Sequence, residues 1–147
     1  MAWKWVNVPI PVQYLLGLIL GAILEYVFRQ PLFASPWMGV VIGLPLIVAG
    51  VGLSIWSVLE AGNIEVESPN RLLTSGPYSL SRNPMYVAWT LIYLGIGLTT
   101  NSLWIIALLP LVAAFTHFVD VRREERFLKK QFGDEYLQYK GQVRRYF

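Results

Sequence analysis

The chemistry available to this chain gathers in two polar stretches. The first, residues 74–86 (T-S-G-P-Y-S-L-S-R-N-P-M-Y), sets the cation Arg82 and the hydroxyl of Tyr78 among two breaker pairs, Gly76-Pro77 and Asn83-Pro84, with Tyr86 just beyond. Two rigid turns so close together hold the loop between them in one shape. A plain connector between helices needs only a few residues, so a longer, shaped loop reads as a clamp for a small polar ligand. The second stretch starts at Asp120 and carries Glu124 and Glu125, with Tyr136 and Tyr139 further on. Together they offer carboxylates for an ammonium or a ribose, a cation for a carboxylate, and aromatic faces for a sulfonium or an adenine.

Other chemistries are thinly supplied. There is no cysteine, hence no disulfide framework, no thiolate metal site and no cysteine nucleophile. The lone histidine, His117, makes a histidine metal cluster or a Ser/His/Asp arrangement implausible, and no metal site is expected. Neither a G-x-G-x-x-G nor a G-x-x-x-x-G-K-[ST] pattern is present, which excludes the soluble nucleotide-binding folds. No nucleic-acid partner is expected.

The elements that must position these groups are apolar. Of 147 residues 55% are hydrophobic, and mean hydropathy is +0.49, too apolar for an ordinary soluble domain and too short for more than one. Four apolar blocks stand out, at about 12–28, 37–59, 84–98 and 103–119. They predict an all-α integral membrane protein, one domain over 1–147, with four transmembrane helices arranged as two antiparallel hairpins. Residues 1–11, with Trp3, Lys4 and Trp5, read as an interfacial lead-in, and no signal-peptide cleavage pattern follows. Glu25 in the first block has Arg29 as an i+4 partner, and Pro45 is expected to kink the second block. The glycines of the second block suit close helix packing, within the chain or between copies, and the oligomeric state stays open.

With four spans, the loop 60–83, the tail 120–147 and the N-terminus share one side, which holds eleven of the twelve basic residues. The positive-inside rule then puts both termini and the polar stretches in the cytoplasm; in a bacterium or archaeon the membrane is the inner one. The fourth block runs on past the membrane at helical spacing until Gly133 ends it, and Asp134 can cap a short final helix. Phe118, Val121, Glu125, Leu128 and Phe132 fall on one stripe of that helix. Glu125 within the stripe wants a specific partner, or else pairs with Lys129 on a charged surface helix.

The two stretches resemble motifs of the integral-membrane methyltransferases, the isoprenylcysteine carboxyl methyltransferases and their small prokaryotic relatives, a group to which phospholipid methyltransferases are similar. S-G-P-Y-S-L-S-R-N-P-M-Y resembles G-x-Y-x-x-x-R-H-P-x-Y, and E-E-R-F-L-K-K-Q-F-G-D-E-Y-L-Q-Y-K-G-Q-V resembles E-E-x-x-L-x-x-x-F-G-x-x-Y-x-x-Y-x-x-x-V. The likeness runs from about residue 63 to 143, with the motifs in the family's order and a helical hairpin between them. It implies bound S-adenosylmethionine, contacted by Asn70, Arg71, Leu72, Leu73, Tyr78, Asn83, Pro84, Met85, Tyr86 and Glu124, with Asn63 as a further polar contact. It implies direct methyl transfer to a lipophilic substrate that enters laterally from the bilayer. Arg82, Asp120 and Glu125 are the candidate catalytic residues, Asp120 or Glu125 as proton acceptor where the nucleophile is an amine.

Two positions depart from the family. Asn83 stands where histidine is usual and cannot shuttle a proton near neutral pH. Asp120 stands where the isoprenylcysteine enzymes carry an arginine, which favours a neutral or cationic acceptor such as a lipid amine. Two competing classes follow: an NADPH-dependent membrane reductase of similar helix arrangement, and a non-catalytic membrane protein that keeps the motifs.

Overall fold

The computed structural model describes residues 11–62, 64 and 69–147; most of the lead-in and Asn63 lie outside them. The described residues are all-helical, with one isolated bridge between Pro31 and Ser102 in place of any strand. The helices are α1 (Val12–Val27), α2 (Pro36–Ala61), a 3-10 turn η1 (Gly76–Ser79), α3 (Pro84–Thr99), α4 (Leu103–Phe115) and α5 (Arg122–Gln142). A π-helical segment, Thr116–Val121, joins α4 to α5 without a break. Local chemistry sets the ends: Pro36 and Pro84 occupy first-turn positions where a missing N–H costs nothing, and Ser102 caps α4 by accepting from the Ile105 N–H. α2 continues through Pro45. Gly133, at φ 51°, interrupts α5 as the sequence led one to expect, and the helix resumes beyond it.

The hairpin expectation needs correction at its first half. α3 and α4 do pack on each other, but α1 packs on α4, and α2 lies along α3 in the most extensive pairing of the fold. Contact surfaces explain the exchange. Gly39, Gly43 and Gly50 of α2 lie so close to the α3 backbone that a methyl group on Gly43 would come within 2.6 Å of the Gly95 carbonyl oxygen. Gly17 and Gly21 of α1 receive Val112 and Ile105 of α4 in the same way. The α1–α2 connector is held by the opposite turn instead. Asn101 binds both backbone groups of Phe33, at 2.7 and 2.9 Å, and Trp104 Nε1 donates to the Phe28 carbonyl at 2.6 Å. Glu25, expected to pair with Arg29, accepts from Ser102 Oγ at 2.9 Å.

Two cores result. Tyr14, Tyr93, Ile105 and Val112 form one inside the bundle. Leu72, Tyr136 and Tyr139 form the other, where the polar loop meets the far half of α5. Outward faces of α1 and α2 are rich in exposed large apolar side chains, Leu16, Ile19, Val41 and Val48 among them. α2 and the helix beginning at Leu103 are long and apolar enough to cross a membrane; α1 and α3 are shorter apolar helices.

Candidate active site

The polar loop is built to a fixed shape. Gly76 takes φ 58°, where a side chain would be strained and would also collide with Glu60. Ser75 Oγ donates to Glu60 at the end of α2. Tyr139 Oη donates to the Tyr78 carbonyl at 2.6 Å, and burial pushes that hydroxyl up to about 12, so it remains a donor. The loop is then clasped by the last residues of the chain. The Arg82 N–H donates to the Arg144 carbonyl at 3.0 Å, while Ser81 Oγ and Asn83 Nδ2 both donate to the Arg145 carbonyl, at 3.2 and 3.0 Å.

Between the end of α2, this loop, the start of α3 and α5 lies a cavity enclosing about 140 Å³. Of the residues expected around a cofactor, Arg71, Leu73, Tyr78, Asn83, Pro84, Met85, Tyr86 and Glu124 line it. Asn70 and Leu72 do not. Asn70 is exposed, and Leu72 is turned into the second core against Tyr136 and Tyr139. Ser57 and Val58, which no polar motif marks, complete the wall from α2. The two motifs meet here: Tyr86 Oη donates to Glu124 Oε1 at 2.6 Å. Glu124 keeps an open edge at the cavity mouth, but the protein crowding around its carboxyl raises it above the usual carboxylate range, against the lowering effect of the Tyr86 hydrogen bond.

The three candidate catalytic residues separate. Glu125 is ion-paired with Arg82 at 2.9 Å and with Arg145 at 2.8 Å, not with Lys129. Burial pushes its carboxyl up, but Arg145 hydrogen bonds and the charges of Arg82 and Arg145 outweigh it and hold it below the usual range. In the fold Glu125 pins loop, α5 and tail together, and an anion so held is a weak base. Arg82 belongs to the same cluster, with Nη1 also on the Tyr136 hydroxyl at 3.1 Å, yet it lines the cavity. Its Nε is buried with no partner among the described residues. Asp120 lines no cavity described here; its carboxylate accepts from Gln13 of α1, and burial raises it in spite of Gln13 and Arg123.

A second cavity, of about 510 Å³, lies between α3 and α4 and shares Tyr86 with the first. Its lining is mostly apolar, and His117 and Tyr146 stand at one end. Gln13, His117, Arg145 and Tyr146 were the residues a sequence reading had least means to find. They act through tertiary contacts that leave no periodicity or motif.

The sequence profile of the phospholipid methyltransferase family matches residues 38–135, a stretch that holds both motifs and the helices between them. The chain belongs to the phospholipid methyltransferase family. Among curated proteins it is 37% identical over 125 residues to the cobalt-zinc-cadmium resistance protein CzcN of Cupriavidus metallidurans, covering 80% of this chain and 56% of that protein. It is 35% identical over 118 residues to the protein-S-isoprenylcysteine O-methyltransferase of Xenopus laevis, covering 73% and 39%. It is 33% identical over 89 residues to the nickel-cobalt-cadmium resistance protein NccN of Alcaligenes xylosoxydans xylosoxydans, covering 60% and 40%. The chain thus spans about half the length, or less, of the curated relatives it matches. No solved structure matches it. With this family membership, the apolar helices mark a membrane protein.

Proposed function

We propose that the chain is an S-adenosylmethionine-dependent methyltransferase of the membrane, acting on a lipophilic acceptor. The observation that carries this reading is Tyr86. It forms a shared wall of the two cavities and binds Glu124 at 2.6 Å, so the polar cavity and the apolar one abut across a single side chain. Donor in one and acceptor in the other is the arrangement an in-line group transfer needs.

The first cavity fits the cofactor's chemistry. The orphaned Arg82 Nε–H offers a donor to a carboxylate, Glu124 an acceptor to an ammonium or hydroxyl, and Tyr78 and Tyr86 aromatic faces to a sulfonium. Its enclosed 140 Å³ takes part of such a molecule, and the open mouth beside Glu124 the rest. When bound, the cofactor supplies a methyl group on a sulfonium, already a good leaving group. The chain's residues need only hold the two reactants, exclude water and, for an amine acceptor, take up a proton. Asp120, the sequence's candidate for that last role, stands outside both cavities with its carboxylate on Gln13, so it would serve only by turning toward the acceptor.

In the membrane, the four apolar helices serve as four spans, with the loop, the tail and the active site on the cytoplasmic side by the positive-inside rule. Helices of 16 residues, such as α1 and α3, reach about 24 Å, so they cross with snorkelling flanks or a thinned bilayer.

Equilibrium binding to the detergent-purified protein tests the reading. S-adenosylmethionine and S-adenosylhomocysteine are expected to bind in the micromolar range and NADPH not to bind, with Glu124→Ala abolishing the signal. Binding of NADPH alone would move the chain to the reductases. Binding of none by folded protein would leave a non-catalytic membrane protein.

A further inference from the structure

The first half of α5 carries a group of cations that neither cavity uses. Arg122, Arg126, Lys129 and Lys130 are exposed and, at helical spacing, fall within an arc of about 100°. None of them lines a cavity described here. The two carboxylates of the same stretch are engaged elsewhere, Glu124 by Tyr86 and Glu125 by Arg82 and Arg145. Among the described residues, no carboxylate pairs with any of the four cations. A cluster of like charges without counter-charge is unfavourable by itself and calls for an external anion.

The helix sets the depth of this patch. α4 and the π-helical segment, 13 and 6 residues long, rise about 28 Å together, close to the hydrocarbon thickness of a bilayer. Arg122 is the next residue, so it stands where the headgroup phosphates begin. Below it the surface is apolar: Phe115, Phe118 and Val119 are 50%, 57% and 43% exposed. The Arg122 guanidinium lies over the Phe118 ring, 4.9 Å from its centroid. Arg126 Nε donates to the Arg122 carbonyl at 3.2 Å, which draws the second guanidinium back one turn toward the first. Two planar forks thus stand at the edge of an apolar surface. A phosphate oxygen pair matches such a fork, and an acyl chain matches the phenyl ring below it.

We propose that this face of α5 docks anionic phospholipid, with Arg122 and Arg126 taking the phosphate, Phe118 the upper part of a chain, and Lys129 and Lys130 adding attraction from further out. An acidic protein segment would account for the cations but not for their unbroken passage into exposed phenylalanines.

Native mass spectrometry of the detergent-purified chain tests the proposal, by titration with palmitoyl-oleoyl phosphatidylglycerol and with phosphatidylcholine of the same chains. The anionic lipid is expected to bind several-fold tighter. Arg122→Gln and Arg126→Gln should each weaken it about fivefold, the share of one cation near a membrane surface. Arg122→Lys, which keeps the charge and loses the fork, should fall between. Arg29→Gln, which removes an exposed cation beyond the opposite end of the helices, should change nothing. Phosphatidylcholine binding and the melting temperature in lipid-free detergent should be the same in all four variants. Equal affinity for the two lipids, no loss in Arg122→Gln and Arg126→Gln, or an equal loss in Arg29→Gln overturns the proposal. So does full displacement of the lipid by millimolar inorganic phosphate, the mark of a free-anion site, or tighter binding of a polyglutamate peptide, the mark of an acidic protein surface.

Discussion

Arg145 grips Glu125 through two parallel hydrogen bonds of 2.8 Å, from Nε and Nη2 to the two carboxylate oxygens. The pair ties the end of the tail to α5, and Arg82 joins it from the polar loop, with side chains 8% exposed for Arg82 and 13% for Glu125. Bidentate geometry of this kind is among the stronger ionic contacts proteins make.

Glu125→Gln leaves two guanidiniums facing an amide. Unfolding in detergent, followed by tryptophan fluorescence, is expected to show a loss of about 2 kcal/mol or more, as when one partner of a largely buried pair is removed. The pH dependence has a definite sign. The folded carboxyl lies below its unfolded value, so its contribution is complete above the ordinary glutamate range and disappears as pH falls through the lowered folded value. Glu125→Gln should flatten that acid limb.

Glu124 behaves in the opposite sense. Its carboxyl is raised, so cofactor binding that needs the anion should begin to fail at a higher pH than for an ordinary glutamate. The Tyr86 hydroxyl lowers it. Tyr86→Phe should therefore move the acid limb of S-adenosylmethionine binding to higher pH, and Glu124→Gln should remove the limb together with about tenfold or more of the affinity. Isothermal titration between acid and neutral pH reads both.

Gly43→Val would set a branched side chain where a single carbon already meets Thr99 Oγ1 at 2.4 Å and the Gly95 carbonyl at 2.6 Å. Overpacking of this kind costs about 1–3 kcal/mol, and here it would part α2 from α3. Gly52→Val, with nothing within 4 Å, is the matched control and should leave the melting temperature and folded yield unchanged.

Asn83→Ala removes the amide that holds the Arg145 carbonyl at 3.0 Å. Trypsin is expected to cut after Arg144 or Arg145 several-fold faster in the variant, with α3 intact. Unchanged cleavage would mean that Ser81 and the Arg82 N–H suffice to hold the tail.

The helix ends were legible because each is written locally. An apolar run opened by Pro36, Pro84 or the Ser102 cap gives the starts of α2, α3 and α4 within one residue of the blocks read from sequence, whereas α4 passes into the π-helical segment after Phe115, four residues before the fourth block ends. The polar cavity was legible in part because one stretch of its lining, from Arg82 to Tyr86, is consecutive in sequence. What could not be read is which helices touch. Gly17 and Gly21 carry no mark saying that they receive Val112 and Ile105 rather than α2. Nor could i+4 spacing reveal Glu125's partners, one of them 43 residues back and the other 20 residues on. Asn83 reads in sequence as a defective histidine; in the fold its amide is a donor with a fixed acceptor.

The π-helical segment Thr116–Val121 has a consequence for inheritance of the site. A wider turn accommodates an extra residue in a helix without breaking it. Each residue added or removed there would rotate everything downstream by about 100°. Glu124 would then swing off Tyr86, and Glu125 off Arg82, with every side chain still present. The two carboxylates are thus addressed by phase as much as by identity: a change in length within these six positions should erase the site more completely than most substitutions in it.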